Sequence, residues 1–495
     1  MPSKPRFLCM AKDDAIWQKL EEDVDEWEKS IRTKKIYREV GNFILKYKDG
    51  PADLMHAAVK GGYNVIYRLE YKDGSSVIMR IPIKGVVPFP DEKIRYEVAT
   101  MRYVAANTSI PVPHVHHYGT AAENPTGLGP FIIMDYIEHH QNMSRELLDP
   151  TRPIDERPRL DPKVSEEKLE RLYAQMANIL LQLHNLKFPR IGSLVEEEGE
   201  GSATIKGRPL TANMIDIVVH TDAPASVLPS KTYDSADEWY TALADMHLSQ
   251  LVFQRNDAVD DEDDAHDKYA ARQLFRNLAT EKRLFSDMPA PEDGFRLFSE
   301  DFRPANVLLD KELKVVGVID WEFAYAAPAQ FSFDPPWWLL LEDPESWDGG
   351  YRAWMEVYEP RLKTFLRAME AEEKKMASEN LPDKVSGLLL IDKNGKAEPP
   401  LSQRMRESWE KRTWMVNYAA QKSWAFDFIW WKFLDESYFG SNEDQDYHAR
   451  LGLLPESQRE AMEPFVTRKM QESTDTDATE EKGEDLEDYL ERLLT

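Results

Sequence analysis

The chain has 495 residues, 42% of them hydrophobic and 11% aromatic, which is enough to bury more than one core and excludes wholesale disorder. Its 62 Lys and Arg face 89 Asp and Glu. The resulting net charge of −27 argues against a nucleic-acid partner and favours cationic small molecules, a divalent metal, or solubility alone.

A single cysteine, Cys9, excludes an intramolecular disulfide framework, and no apolar run reaches membrane-spanning length, so no membrane partner is expected. The opening MPSKPRFLCMAKDD lacks an apolar core and soon turns acidic. It reads as neither secretory signal nor transit peptide, and a cytoplasmic setting is expected. Across 13–47, Ile16, Trp17, Leu20, Val24, Trp27 and Ile31 recur at three- and four-residue steps, predicting amphipathic helix. The stretch GGYNVIYRLEYKDGSSVIMRIPI predicts a β-hairpin turning at Lys72-Asp73-Gly74, with Gly61 and Gly62 at its entrance. A helix is expected over 91–107, with Ile94, Glu97, Val98, Met101 and Val104 along one side, then a strand at Phe131-Ile132-Ile133-Met134.

Beyond that strand the pattern becomes mostly helical. The 164–186 segment is periodic through Leu169, Leu172, Met176, Ile179, Leu180 and Leu183, whereas 188–234 is punctuated by Gly and Pro and reads as irregular. An acidic run at 260–264 separates two helices. Short strands at 295–298, 306–309 and 315–319 precede helical blocks over 351–376 and 403–434. From 471 the chain is acidic and poor in large apolar groups, predicting a mostly disordered tail with a short helix over 485–494. The organisation expected is a helical extension over 1–50, a β-rich lobe over 51–135, a helical lobe over 136–470 and the tail over 471–495.

Chemistry concentrates in FSEDFRPANVLLD and the following GVIDWE. Asp301 and Asn306 lie on a loop leading into an apolar strand. A turn at DKEL returns a second strand to Asp320, so two carboxylates and an amide oxygen meet at one end of a hairpin. Phosphoryl transfer needs such a trio. One carboxylate orients the attacking hydroxyl and accepts its proton, while the amide and the other carboxylate hold magnesium on the nucleotide phosphates. Turn capping is the bland reading of Asp301 and Asn306 taken alone; the hairpin and Asp320 argue against it.

On these residues, and most specifically on DFRPANVLLDKELKVVGVIDWEFAYAAPAQFSFDPPWWL, the chain resembles the aminoglycoside phosphotransferase (phosphotransferase enzyme) family, and its fungal kinase-like branch, from Gly61 to Trp338. The resemblance implies an α+β, protein-kinase-like fold with a small β-rich N-lobe and a large helical C-lobe. It also implies ATP-dependent, magnesium-requiring transfer to a hydroxyl of a small molecule. By the same resemblance Asp301 would be the catalytic base, Asn306 and Asp320 the metal ligands, and Asp334 a buried aspartate bracing the catalytic loop, with Ser299, Glu300 and Arg303 in support. Gly61 and Gly62 would either cover the phosphates or form a plain turn. Arg80 stands where a lysine is usual and would bridge phosphates and pair with Glu97. Met134, Asp135, Tyr136 and Ile137 would form the hinge, whose backbone meets the adenine edge and does not distinguish ATP from GTP.

One departure bears on activity. Ser299-Glu300-Asp301 stands where the family usually has His-Gly-Asp, which keeps open a catalytically silent nucleotide-binding or scaffold protein. The joint presence of Asp301, Asn306 and Asp320 favours an active enzyme. The short stretch from Asp320 to Asp334 leaves no room for a long activation loop, so a protein substrate is not expected. The acceptor's identity is not legible; the acidic run at 260–264 would suit an amine-bearing one, or is simply solvated. His184, Trp337, Trp338 and the aromatic stretch 423–434 read as packed interior.

Overall fold

The computed structural model describes residues 9–153, 156–197, 201–285, 294–378, 399–474 and 486–494. The first periodic segment folds as two helices rather than one, α1 (Asp14–Ile31) and α2 (Lys34–Ile44). Thr33 makes the break, its side-chain oxygen accepting a hydrogen bond from the Ile36 amide to cap α2. Strands β1 (Ala52–Met55), β2 (Val59–Lys60), β3 (Asn64–Tyr71) and β4 (Ser76–Pro82) follow. The β3–β4 turn has Gly74 at φ +84, and the Asp73 carboxylate accepts from the Ser75 amide at 2.9 Å. Helix α3 (Pro90–Asn107) opens on Pro90, with Asp91 and Glu92 in its first turn, where the helix dipole favours negative charge. With β5 (Val115–Gly119) and β6 (Phe131–Asp135) the strands form an antiparallel sheet in the order β1-β3-β4-β6-β5, β2 pairing with β3. Val65, Tyr67, Val77, Met79, Ile81, Ile132 and Ile133 are buried in it, as are Val98 and Met101 of α3. Each such apolar side chain contributes roughly 1.5–3 kcal/mol of transfer free energy.

Next come β7 (Gln141–Asn142), α4 (Met143–Leu147) and α5 (Glu166–His184). The segment expected to be irregular instead contains β8 (Lys187–Phe188), the hairpin β9 (Ser193–Glu196) and β10 (Ala203–Gly207), and α6 (Ala212–His220). Its glycines serve close approach as well as turning: a Cβ on Gly207 would come within 2.5 Å of the Tyr96 ring. Helices α7 (Ala236–Phe253) and α8 (Glu262–Thr280) are followed by β11 (Phe295–Ser299), β12 (Val307–Leu309), β13 (Val315–Val318), β14 (Ala324–Ala327), α9 (Ala329–Ser332) and α10 (Gly350–Ser378). The block expected over 403–434 is broken into α11 (Leu401–Lys411), α12 (Thr413–Gln421), α13 (Phe426–Ile429) and a π-helical turn, Trp430–Leu434. Arg412, in the left-handed region at φ +58, separates the first two. The chain ends with α14 (Asp435–Phe439), α15 (Glu456–Thr474) and α16 (Leu486–Leu494).

The chain packs as two units. A mixed unit comprises Val24–Leu210 and Pro291–Lys411, and a helical unit comprises Met1–Asp23, Thr211–Ala290 and Arg412–Thr495. This division runs through the 136–470 stretch expected as one helical lobe. The mixed unit carries the α+β, protein-kinase-like fold. Its large sheet with α3 is followed by the three-stranded sheets β14-β11-β8 and β13-β12-β7 and by α5 packed on α10.

In the helical unit α7 packs on α8 and Trp239 is fully buried; Trp430 and Trp431 are fully buried too, as expected for the aromatic stretch. Asp260, Asp261, Glu262 and Asp263 of the acidic run are exposed, in line with the solvated reading, while its last three residues form the first turn of α8. Asp261 caps α8 by accepting from the Asp264 amide at 2.8 Å, and Asp264 is buried against Lys268 at 2.7 Å. The short helix expected at the end of the tail is present, and it is docked. Helix α16 buries Tyr489, Leu490 and Leu493, packs on α7, and receives a hydrogen bond from Gln273 Nε2 on its Leu493 carbonyl at 3.1 Å. A few apolar residues suffice because they share one helix face. Positions 475–485, with the expected helix start at 485, lie outside the described residues. Among the described residues no helix is long and apolar enough to cross a membrane.

His184, at the end of α5 in the mixed unit, is buried as expected, its Nδ1 2.8 Å from Ser332 Oγ. Burial pushes its imidazole down to about 3, with Arg296, Lys187 and Arg404 adding to the fall. In the unfolded chain an imidazole titrates near 6.5. Above pH 6.5 both states are neutral and this group is without effect; as pH falls from 6.5 toward 3 only the unfolded state gains a proton, and stability drops. At pH 5 the loss is about 2 kcal/mol. Urea midpoints measured from pH 7 to 5 are expected to fall, with buried His220 and His247 acting in the same direction, and His184→Gln to remove the His184 share of the slope.

Candidate active site

The β12–β13 hairpin presents the site. Val307 pairs with Val318, and the Asn306 carbonyl accepts from the Ile319 amide at 3.0 Å, so the loop entering β12 and the chain leaving β13 meet at one end. The turn at the other end is closed by Asp310, whose carboxylate accepts from the Glu312 and Lys314 amides at 3.0 and 2.8 Å. The trio expected from the sequence is thereby gathered.

Asn306 Nδ2 donates to Asp301 Oδ2 at 2.9 Å and to the Asp301 carbonyl at 2.8 Å. With Nδ2 committed, Oδ1 is the atom left to meet a cation. Arg303 Nε lies 2.7 Å from Asp301 Oδ1. Burial pushes the Asp301 carboxyl above its ordinary value, against Arg303 and Asn306, and Glu322 adds to the rise. A carboxylate with increased proton affinity suits a general base.

Asp320 leaves β13 in the left-handed region, at φ +67, a conformation costing a residue with a Cβ roughly 1–2 kcal/mol. Its surroundings hold it there. Arg80 Nη1 in β4 donates to Asp320 Oδ1 at 3.0 Å, while Arg80 Nη2 pairs with Glu97 of α3. Glu97 Oε1 accepts from the Trp321 amide at 3.3 Å. One helical turn before Glu97, Lys93 forms a buried ion pair with Glu322 and donates to Asn64 Oδ1 at 2.9 Å. Asn64 Nδ2 donates in turn to Glu322 Oε2 at 3.0 Å. Burial and then Glu322 push the Asp320 carboxyl up to about 7, against the pull of Arg80, with Glu97 and Asp301 adding to the rise. Lys93 and Arg80 outweigh burial at Glu322 and hold it below its ordinary value. The Asp301 and Asp320 side chains keep 24% and 27% of their exposure, while Glu97 and Glu322 keep 1% each. Only the first two can meet a ligand from solvent.

These residues fit a magnesium ion shared with a nucleotide. Such an ion takes one or two protein carboxylates and fills its remaining positions with phosphate and water oxygens. Asn306 Oδ1 and Asp320 supply hard oxygens of this kind. Among the described residues no three His, Cys, Asp or Glu side chains form a cage of their own. The upward push on Asp320 from neighbouring carboxylates is one that a cation would relieve.

The remaining expected residues are less uniform. Gly61 and Gly62 form the turn between β2 and β3, the Gly61 amide donating to the Asn64 carbonyl at 2.8 Å. Neither has a left-handed φ, and a Cβ on Gly62 would meet nothing within 4 Å. Nothing inside the chain requires glycine at 62. At the expected hinge, the Asp135 and Tyr136 amides are already spent, donating at 3.0 Å to the His114 and Ser76 carbonyls. The Asp135 side chain meets His116 at 2.7 Å and Lys48 at 3.4 Å, and Met134 is buried. Ile137 lies on the hairpin, so that a Cβ on Gly317 would sit 2.5 Å from its Cδ1. Ser299 ends β11 opposite Ala324, and the Glu300 amide donates to the Phe323 carbonyl at 3.2 Å. Asp334 is half-buried rather than buried and accepts from Ser408 Oγ of α11 at 2.9 Å.

Sequence reasoning missed Lys93, Asn64 and Glu322. The available signal was Lys93 itself, a charge four residues before Glu97 on the same helix side as Ile94 and Val98.

Residues 57–371 match the profile of the phosphotransferase enzyme family. Among curated proteins, 266 residues are 27% identical to altered inheritance of mitochondria protein 9, mitochondrial, of Clavispora lusitaniae, over 48% of this chain and 42% of that protein. Another 24% identity over 254 residues links 51% of the chain to 54% of clavilactone A biosynthesis cluster protein Y of Ampulloclitocybe clavipes. The matches thus span about half, or less, of these relatives' lengths. Among solved structures, macrolide 2'-phosphotransferase type I aligns with 83% of this chain and 99% of its own, at 12% identity and a TM-score of 0.38. Plasmodium vivax ethanolamine kinase aligns with 96% and 97%, at 10% identity and a TM-score of 0.37.

Proposed function

The chain belongs to the phosphotransferase enzyme family, and we propose that it transfers the γ-phosphoryl group of ATP to a hydroxyl of a small molecule, with Asp301 as the base. One observation carries this reading: Asp301 and Asp320, two carboxylates partly open to solvent, flank Asn306 at one end of the β12–β13 hairpin. Asp301 would orient the acceptor hydroxyl and take its proton, its raised proton affinity favouring that step. Asn306 Oδ1 and Asp320 would hold magnesium, which when bound neutralises charge on the transferring phosphoryl group. Arg80, fixed by Glu97, would face the phosphates. With the Asp135 and Tyr136 amides spent, an adenine edge would be met by the Ile137 amide and the hinge carbonyls. An amine-bearing acceptor is consistent with the acidic surface.

ATP turnover with magnesium, followed by mass-spectrometric screening of hydroxylated compounds for phosphorylation, tests the proposal. Binding of Mg·ATP without transfer to any compound would favour the catalytically silent alternative, which rests on Ser299 in place of histidine. Asp320→Ala is expected to abolish magnesium-dependent nucleotide binding in calorimetry while the chain stays folded. Wild-type affinity in that variant would remove Asp320 from the metal site.

A further inference from the structure

The three consecutive residues 320–322 are each gripped by a different partner. Arg80 holds the Asp320 carboxylate, Glu97 holds the Trp321 amide, and Lys93 holds the Glu322 carboxylate. Two of these grips come from one helix, a single turn apart. The third member of the Lys93 cluster, Asn64, begins β3 immediately after the Gly61–Gly62 turn. Beside it, the Tyr63 ring stands edge-on to the Phe323 ring, 5.3 Å between centroids. The turn expected to cover phosphates and the loop expected to hold their metal are therefore tied together twice. Lys93 and Glu322 are fully buried and Asn64 nearly so. An amine and a carboxylate withdrawn from water so completely are hydrogen-bonded to each other and to the one amide between them.

We propose that Lys93 is a positioning residue for phosphoryl transfer, which through Glu322 and Asn64 fixes the glycine turn and the metal loop at one spacing. This rests on the phosphotransferase reading above. Lys93 reaches no solvent and touches no ligand; its action is to keep the Asp320 carboxylate and the Gly61–Gly62 turn aimed at the same phosphates. A lysine serves because its ammonium offers several donors from a flexible stem and can meet Glu322 and Asn64 at once.

The competing account is that Lys93 merely balances the buried charge of Glu322. Removing both charges separates the two. Lys93→Met alone should be destabilised, because it strands Glu322, whereas Lys93→Met/Glu322→Gln should recover a urea midpoint near wild type. If Lys93 positions the loop, the double variant still binds Mg·ATP about 10–100-fold more weakly, the usual scale for partners that orient metal ligands. ADP without magnesium should lose less affinity than Mg·ATP, since it draws on the glycine turn but not on the metal loop. Hydrogen exchange of the nucleotide-free double variant should quicken at 61–64 and 320–323 and nowhere else. A stable double variant with wild-type Mg·ATP affinity and wild-type exchange would overturn the assignment. Wild-type protein that binds no Mg·ATP would instead overturn the phosphotransferase reading, and the exchange comparison would still decide whether Lys93 holds the two segments together.

Discussion

Asp301→Asn is expected to leave nucleotide affinity nearly unchanged and to lower phosphoryl transfer by roughly two to four orders of magnitude. The substitution preserves size, and its amide oxygen can still accept from Asn306 Nδ2, which now reaches Asp301 at 2.9 Å. It loses the ion pair with Arg303, but that side chain is 42% exposed, so the cost to folding is small. What disappears is the capacity to accept the hydroxyl proton. A fall of this size corresponds to about 3–5 kcal/mol of transition-state stabilisation. Calorimetric Mg·ATP affinity and single-turnover transfer to an acceptor found by screening would measure the two quantities separately. Equal transfer rates would remove Asp301 from the base role and direct attention to Glu300, the neighbouring carboxylate on the same loop.

The largest expected effect on stability lies in the helical unit, at Arg272. Its guanidinium is wholly buried, pairs with buried Asp427 at 2.6 Å, and also donates to the His247 carbonyl at 3.1 Å and to Gln250 Oε1 at 3.2 Å. Arg272→Met fills a similar volume but strands the Asp427 carboxylate away from water. The expected loss is about 3–5 kcal/mol, read from urea unfolding of the full chain. Arg272→Met/Asp427→Leu should recover most of it, since two charges removed together leave none uncompensated. A single variant as stable as wild type would show that water reaches Asp427 in solution.

Features written within a few residues of one another were legible in the sequence. The β3–β4 hairpin declares itself through Asp73-Gly74, and the β12–β13 hairpin through Asp310 and its turn, which is why Asp301, Asn306 and Asp320 could be brought together from the sequence. Arg80 and Glu97 were linked through spacing and resemblance, and the structure joins them. What stayed hidden depends on distance along the chain or on backbone conformation. Lys93 and Asn64 are 29 residues apart, and Asn64 and Glu322 are 258 apart, so no local pattern connects them. A lysine in a helix is ordinarily solvated, and only burial of that helix face makes it otherwise. Helix α6 was obscured by the glycines and prolines around it, and the break at Arg412 arises from a left-handed backbone at a residue that gives no such signal. The helix over 485–494 was legible, but its docking was masked by the acidic residues it also carries.

The 258-residue reach from Asn64 to Glu322 has a consequence for the order in which the protein is made. A ribosome adding about 5–20 residues per second needs roughly 13–50 s to pass from one to the other. Throughout that interval the first-made sheet and α3 carry a lysine and an asparagine whose partner has not yet been synthesised. Water must satisfy them, and the helix face that bears Lys93 cannot close. Contacts of such long range form late and slow the search. The β-rich segment is therefore born incomplete, and its Lys93–Asn64 pair is closed only when the distant hairpin has been translated and has displaced that water.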